Sequence, residues 1–500
     1  MKNSAKAISL TLAAALAIPL TACAAAPDFG SNAPAPGGII SDAFDLPENY
    51  VHESVIEQPF VSAAEKPDSY FSLDRNTASY SYMRRIINDG HKVDKGSVRL
   101  EEYINYFSYD YARPENGDAL AVGGKLFDCP WNVEHKLMTV EIAAEETEFS
   151  DTRNNVVFLI DTSGSMYGDD RLGLIQQAFT MLTETLNADD TVSIVTYAGD
   201  SRVALDGEKG ANKTRIANVL QDLTANGSTN GAGGIHKAYA LAEKYYDDEA
   251  NNRVIIATDG DFNVGASSKK ELNNLISEKR DSGVYLSVLG VGMHNANDVT
   301  MKTLAENGNG NYAYLDSVTE ARKVLVNELG GTFNTVAKDA KIGVEFSADT
   351  VDKYRLIGYE SKILTQEEFE DEQKDAGEIG SGHTVTALYE LELKSGASGN
   401  VASAEVRYKA PATDESASVA YSVTTDDYMR YPNEDCVFIG CVTEYGLLLR
   451  KSVYGGNASF AAVVARLSAL DCTDAESGDP FKAEFLQIVK AAEKLYAKPL

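Results

Sequence analysis

Five apolar residues in a row, 156–160 (VVFLI), run directly into Asp161-Thr162-Ser163-Gly164-Ser165-Met166. An unbroken apolar run of this length is the pattern of a strand buried on both faces, as in a parallel sheet covered by helices. Similar runs recur at 191–197 (TVSIVTY), 253–258 (RVIIAT) and 284–292 (VYLSVLGVG). Stretches with apolar residues at helical spacing lie between them, at 172–186, 214–223, 235–246 and 270–279. Strand alternating with helix from 154 to 337 predicts an α/β, doubly wound and mostly parallel sheet. Ligands of such sheets bind at the carboxyl ends of the strands. Asp161 stands at one such end and Asp259 at another.

The pattern changes on either side. Residues 76–88 and 97–107 carry helical spacing, and 121–145 alternates like two strands split by the turn at Pro130. From 338 to 425 the texture is again that of strands (AKIGVEFSA, YRLIGYE, HTVTALYELEL, SAEVRYKA), with the acidic EEFEDEQKDAGE between them as a solvated loop. The two sets of strands are expected to form one β-sandwich into which the α/β unit is inserted. Beyond 431, Phe438, Cys441, Val442, Tyr445, Leu448 and Leu449 keep a helical period, as do Phe481, Phe485, Ile488, Val489, Ala492 and Leu495.

The amino terminus reads differently. Lys2 and Lys6 precede a short apolar stretch, 7–20, which is too short to span a bilayer comfortably. Leu20-Thr21-Ala22-Cys23 resembles a bacterial lipobox, which implies cleavage before Cys23 and lipid attached there. Residues 24–38 are rich in Ala, Pro and Gly, as in a tether. The expected organisation is therefore a lipoprotein signal peptide (1–22), a flexible tether (23–66), and an N-terminal companion domain (67–150). The α/β domain (151–337), a β-rich companion (338–430) and a C-terminal helical segment (431–500) follow. The chain is expected to be exported and lipid-anchored to a bacterial cell membrane, with its main domains outside the cytoplasm.

Composition narrows the partners. The formal net charge of −30 argues against nucleic acid as a partner, because phosphate binding needs a basic surface. Cys129, Cys436, Cys441 and Cys472 show no CxxC spacing, which argues against zinc or redox chemistry and leaves free buried thiols as the reading.

The candidate chemistry lies in three loops. Asp161, Ser163 and Ser165 offer one anionic and two neutral oxygens at alternate positions, and Gly164 lets the loop curl. Thr229, in Gly227-Ser228-Thr229-Asn230-Gly231, adds a hydroxyl, and Asp259, in Thr258-Asp259-Gly260-Asp261, adds a second carboxylate. These are hard ligands, suited to Mg²⁺ and also to Mn²⁺ or Ca²⁺, and unsuited to zinc or copper. With two charges among five ligands, the ion keeps an open position that an acidic side chain of a partner can fill.

DTSGS, GSTNG and TDGD in this order resemble the metal-ion-dependent adhesion site of the von Willebrand factor A (VWA) domain. The resemblance implies a Rossmann-like fold and a divalent ion, usually Mg²⁺, held by Asp161, Ser163, Ser165, Thr229 and Asp259. It also implies that a Glu or Asp of a protein ligand completes the ion's shell. FSLDRNTASYSYMRR, VRLEEYINYF and CPWNVEHKL before that domain, with YRLIGYE and DAGEIGSGHTVTALYELEL after it, resemble the bacterial YfbK-type VWA lipoproteins over about residues 68 to 500.

Other chemistries fit less well. A phosphatase using Asp161 as nucleophile needs a second Asp where Ser163 stands. Gly207 to Thr214 nearly spells a phosphate-binding loop, but Asn212 takes the place of the second Gly. Asp259, Asp261 and Asn263 mimic a calcium loop, but Lys270 sits where its bidentate Glu belongs. The chain is therefore expected to bind and not to catalyse. The alternatives are an envelope assembly factor with a purely stabilising metal, and a metal-dependent hydrolase.

Overall fold

The computed structural model describes residues 55–73, 76–115, 117–147, 152–228, 231–260, 269–292, 298–328, 334–411 and 413–497. Cys23, the signal peptide, most of the expected tether and Thr229 lie outside the described residues. In chain order, β1 (Val61–Ser62) and β2 (Asp68–Ser72) precede α1 (Ala78–Asn88) and α2 (Leu100–Ile104). Strands β3 (Leu120–Asp128) and β4 (Lys136–Ala144) follow. The α/β unit then runs β5 (Arg153–Asp161), α3 (Leu172–Thr185), β6 (Thr191–Tyr197), β7 (Ser201–Lys209), α4 (Lys213–Gln221) and α5 (Gly231–Lys244). It continues with β8 (Ala250–Thr258), α6 (Lys269–Asp281), β9 (Val284–Gly290), α7 (Asp298–Asn307), β10 (Tyr312–Tyr314) and α8 (Val318–Arg322).

The six strands order as β10-β9-β8-β5-β6-β7, all parallel except β7, which runs antiparallel to β6. Residues Val156 to Ile160 are all buried, because α3, α4 and α8 cover one face and α5 packs on the other. The close approach of α5 depends on Gly234, where a Cβ would come within 3.0 Å of Tyr197 and Leu159. The chain leaves β5 for β6 on one side and later returns to β8 on the other. The carboxyl ends of β5 and β8 thus flank a switch point, the position where open α/β sheets hold ligands.

The chain then returns to strands, β11 (Thr335–Phe346), β12 (Val351–Ile357), β13 (Gly377–Gly380), β14 (Thr384–Leu393), β15 (Asn400–Lys409) and β16 (Ser416–Thr424), with a short α9 (Gln366–Glu370). Three helices close it, α10 (Glu434–Arg450), α11 (Phe460–Leu467) and α12 (Pro480–Tyr496). Strand β14 pairs antiparallel with β4 from Thr384↔Ala143 to Leu391↔Lys136, and β11 pairs with β2 from Lys341↔Ser72 to Glu345↔Asp68. The two antiparallel sheets, β1-β12-β14-β4-β3 and β13-β11-β15-β16 with β2, share one core that includes Val140, Ile142, Ile342, Val344, Leu391 and Val406. The α/β unit is thus an insertion between the strands that complete this sandwich.

Three features depart from the sequence reading. Val61↔Tyr354 pairing places β1 in a sheet, so the fold starts inside the stretch read as tether. The acidic loop contains α9, capped reciprocally by Thr365 and Glu368, and leads into β13. Strands β7 and β16 went unseen because both are sheet-edge strands with many exposed positions, which weakens the hydrophobic signal. Cys129, Cys436 and Cys441 are free and buried, and Cys472 is free and half-buried. No described helix is long and apolar enough to cross a membrane.

A buried arginine joins the parts. Arg84 of α1 donates to Asp316 at 2.6 and 2.7 Å, to Glu320 of α8 at 2.7 Å, to the Tyr106 hydroxyl at 2.7 Å and to Glu484 of α12 at 3.1 Å. Asp316 and Glu320 are almost fully buried, so without Arg84 their charges would be stranded in low dielectric. Arg84→Met is expected to lower stability by about 3–5 kcal/mol in denaturant titration. Adding Glu320→Gln should restore part of the loss, because it removes one of the stranded charges.

Candidate functional site

The loop after β5 is pinned from several sides. Asp161 is fully buried; it accepts from the Ser163 backbone N–H at 2.8 Å and from the Thr258 hydroxyl at 3.3 Å. Gly164 N–H donates to the Gly227 carbonyl at 2.9 Å, and Asn226 N–H to the Thr162 carbonyl at 2.7 Å. Gly227 carries a φ of +88°, a conformation glycine adopts without steric cost. These bonds tie the β5–α3 loop to the loop before α5. They leave the Ser163 and Ser165 hydroxyls 3.0 Å apart. Asp259 is 3% exposed, one residue beyond the end of β8.

Four of the five expected ligands, Asp161, Ser163, Ser165 and Asp259, therefore stand on adjacent loops at the switch point; Thr229 lies outside the described residues. Among the described residues no cationic side chain pairs with Asp161. Burial pushes the Asp161 carboxyl up to about 6, and the charge of Asp259 pushes the same way against hydrogen bonds from Ser163 and Tyr197. Burial and the charge on Asp161 hold the Tyr197 phenol well above its usual range. The donor set is all oxygen, with two carboxylates and two hydroxyls, which fits a hard divalent cation. Among the described residues no three His, Cys, Asp or Glu side chains form a metal-holding group, so a zinc-type centre is not present there.

The supporting residues were not legible in the sequence. Arg171 donates to the Ser165 carbonyl at 2.5 Å and packs over Gly292, where a Cβ would lie 2.9 Å from its Nε. Arg85 of α1 reaches Asp170 of the same loop at 3.4 Å. Tyr167, 81% exposed, stands on the rim. The adjacent MRR and the exposed loop carried no signal of these contacts, because each joins distant segments.

Comparison with known proteins fits this architecture. The model for the von Willebrand factor type A domain matches residues 155–327, and one described as von Willebrand factor matches 47–139. The model described as "Uncharacterized protein YfbK, C-terminal" matches 331–495. "Uncharacterized protein YfbK" of Escherichia coli (strain K12) is 37% identical over 466 residues, covering 87% of this chain and 80% of its own. The chain belongs to the YfbK family. Inside that family frame the VWA domain is the inserted α/β unit. The inter-alpha-trypsin inhibitor heavy chain H3 of Bos taurus is 26% identical over 200 residues, 38% of this chain and 22% of its own. A solved von Willebrand factor type A protein from Catenulispora acidiphila covers 75% of this chain and 87% of its own, at 14% identity and a TM-score of 0.42.

The raised Asp161 carboxyl has a defined sign. Its folded value, about 6, exceeds the ordinary 3.8, so the metal-free folded state holds this proton more tightly than the unfolded chain does. The stability this proton contributes is present below about pH 4 and is lost as pH rises through about 6. In EDTA at pH 7.5, Asp161→Asn is expected to be more stable than wild type by up to about 3 kcal/mol, and the gap should close toward pH 4. Denaturant titrations of the two proteins across that range measure it.

Proposed function

We propose that this chain binds a divalent cation, Mg²⁺ in the first instance, through Asp161, Ser163, Ser165, Thr229 and Asp259, and through it an acidic residue of a protein partner. Lipid at Cys23 would hold it on a bacterial cell membrane with its main domains outside the cytoplasm, and its role is binding and not turnover. The observation that carries the reading is a fully buried Asp161 beside Asp259, with no side-chain cation paired to Asp161 among the described residues. Two carboxylates so placed repel each other, and a divalent ion would offset that repulsion. Thr229 rests on the sequence motif and on the family. VWA domains typically mediate protein binding, which supports the second half of the reading. A purely structural metal is the alternative. It draws on the same bonds from Ser163 and Thr258 to Asp161, which tie the loop to β8.

One measurement tests the ion and a second separates the two readings. Calorimetry with MgCl₂ should give one binding event that Asp161→Ala weakens at least tenfold. Soluble protein lacking residues 1–26 should retain a partner from an envelope extract in Mg²⁺, and lose it in EDTA and in Asp161→Ala. An identical catch under all three conditions, with Mg²⁺ still raising the melting temperature of wild type, would favour the structural role and remove the adhesive one.

A further inference from the structure

Three exposed aliphatic side chains meet at one end of the sandwich. Ile56, Val133 and Val453 are 77%, 78% and 86% exposed, whereas the next large aliphatic side chain among the described residues, Val203, is 45% exposed. They lie far apart in the chain, and the fold brings their segments together. The Phe60 ring, four residues after Ile56, is 5.1 Å from the His135 ring and 5.9 Å from the Tyr454 ring. His135 closes the β3–β4 turn that carries Val133, its N–H donating to the Asn132 carbonyl at 3.1 Å. Asn457 N–H donates to the Trp131 carbonyl at 2.9 Å, which ties the loop after α10 to the same turn. Glu57 approaches Arg450, the last residue of α10, at 3.9 Å.

The base beneath these tips is held by charge. Arg355 is buried, stacks on the Tyr454 ring at 4.2 Å and donates to Glu390 at 2.6 Å. The other oxygen of Glu390 lies 2.6 Å from His135 Nδ1. The loops are thus anchored from below while their aliphatic ends stay in water, and moving such surface out of water is favourable. This end is also where the chain arrives from Cys23. Residues 24–54 join Cys23 to Val55, and a chain of that length reaches about 110 Å at most. A lipid on Cys23 would keep this end within that distance of a bilayer.

We propose that this end of the sandwich docks on the lipid bilayer, with Ile56, Val133 and Val453 dipping into the boundary between head groups and acyl chains. Three tips on separate loops suit a fluid surface, which closes around each one. The half-buried Phe60 and Tyr454 rings behind them would lie at head-group level, where amphipathic aromatic side chains are favoured. The exposed charges next to the tips, Glu134 and Lys451, are of opposite sign, so the attachment is apolar and needs no anionic lipid. From the reading of Cys23 the proposal takes only what brings this face to a membrane. It shares no residue with the Asp161 cluster.

The chain lacking residues 1–26 loses no described residue and has no acyl group of its own, so it tests the face by itself. Mixed with phosphatidylcholine vesicles, which carry no net charge to repel it, it should float with them at millimolar lipid. Val133→Ser together with Val453→Ser should weaken that association about tenfold at an unchanged melting temperature. Val203→Ser, on β7, should leave it unchanged, and so should NaCl raised to about 1 M. No flotation of the wild type, or flotation indifferent to the double substitution, would overturn the proposal. Self-association without lipid, or retention of an envelope protein, that the double substitution abolishes would overturn it too, because another occupant would then cover the face. Mass spectrometry of the full chain reports separately on Cys23; an unacylated Cys23 would remove the anchor and leave the flotation result standing.

Discussion

The structure depends on one closure. The sandwich is built from strands on both sides of the VWA domain, and neither set forms it alone. Strand β4 is paired along its length by β14, and β2 lies against β11. Until the far strands arrive, β4 has β3 as its only neighbour and half of the core around Val140 and Ile142 lacks its cover. The inserted domain is therefore tied at both ends, at Arg153 where β5 begins and at Thr335 where β11 begins. The Arg84 network adds a third tie, from α1 to α8 and to the last helix. A VWA domain held in this way is part of a single framework and not a bead on a string.

That framework fixes the site. The sheet brings Asp161 and Asp259 to neighbouring strand ends, and the loops are held by backbone bonds together with side-chain bonds at Asp161 and Arg171. Helix α1 lies outside the VWA domain, yet Arg85 reaches the site loop at Asp170. The companion segment thus touches the loop that carries Ser163 and Ser165. Burial has a cost here, since a carboxyl raised to about 6 is an ion in the wrong medium. A positive charge delivered to that point would reverse the balance.

The same electrostatic logic applies on β13. Glu378 is a buried acid in a chain that already carries 75 acidic residues against 45 basic ones, so excess negative charge has few internal remedies. Most ionised groups around it are paired, as Lys409 with Asp339 at 2.7 Å and Arg280 with Asp375 at 2.6 Å. Glu378 is the exception, with neither carboxylate oxygen hydrogen-bonded among the described residues.

Much of this was local and therefore legible. The run of apolar residues before Asp161 marked a doubly covered strand, and DTSGS showed oxygens at alternate positions of the loop after it, because each leaves a mark within a few residues. The flanking strands and the inserted domain were also foreseen, since a change from helical to alternating period is visible along the chain. Register and closure were not. Thr386 accepts from or donates to Tyr111, 275 residues away, and nothing in either segment announces the other. The edge strands β7 and β16, the start of the fold at β1, the arginine between three carboxylates and the unpartnered Glu378 all belong to this second class. Sequence determined which residues could be buried and which could bind; only the tertiary structure decided which buried charges meet a counter-charge, because that depends on distances between segments that share no period.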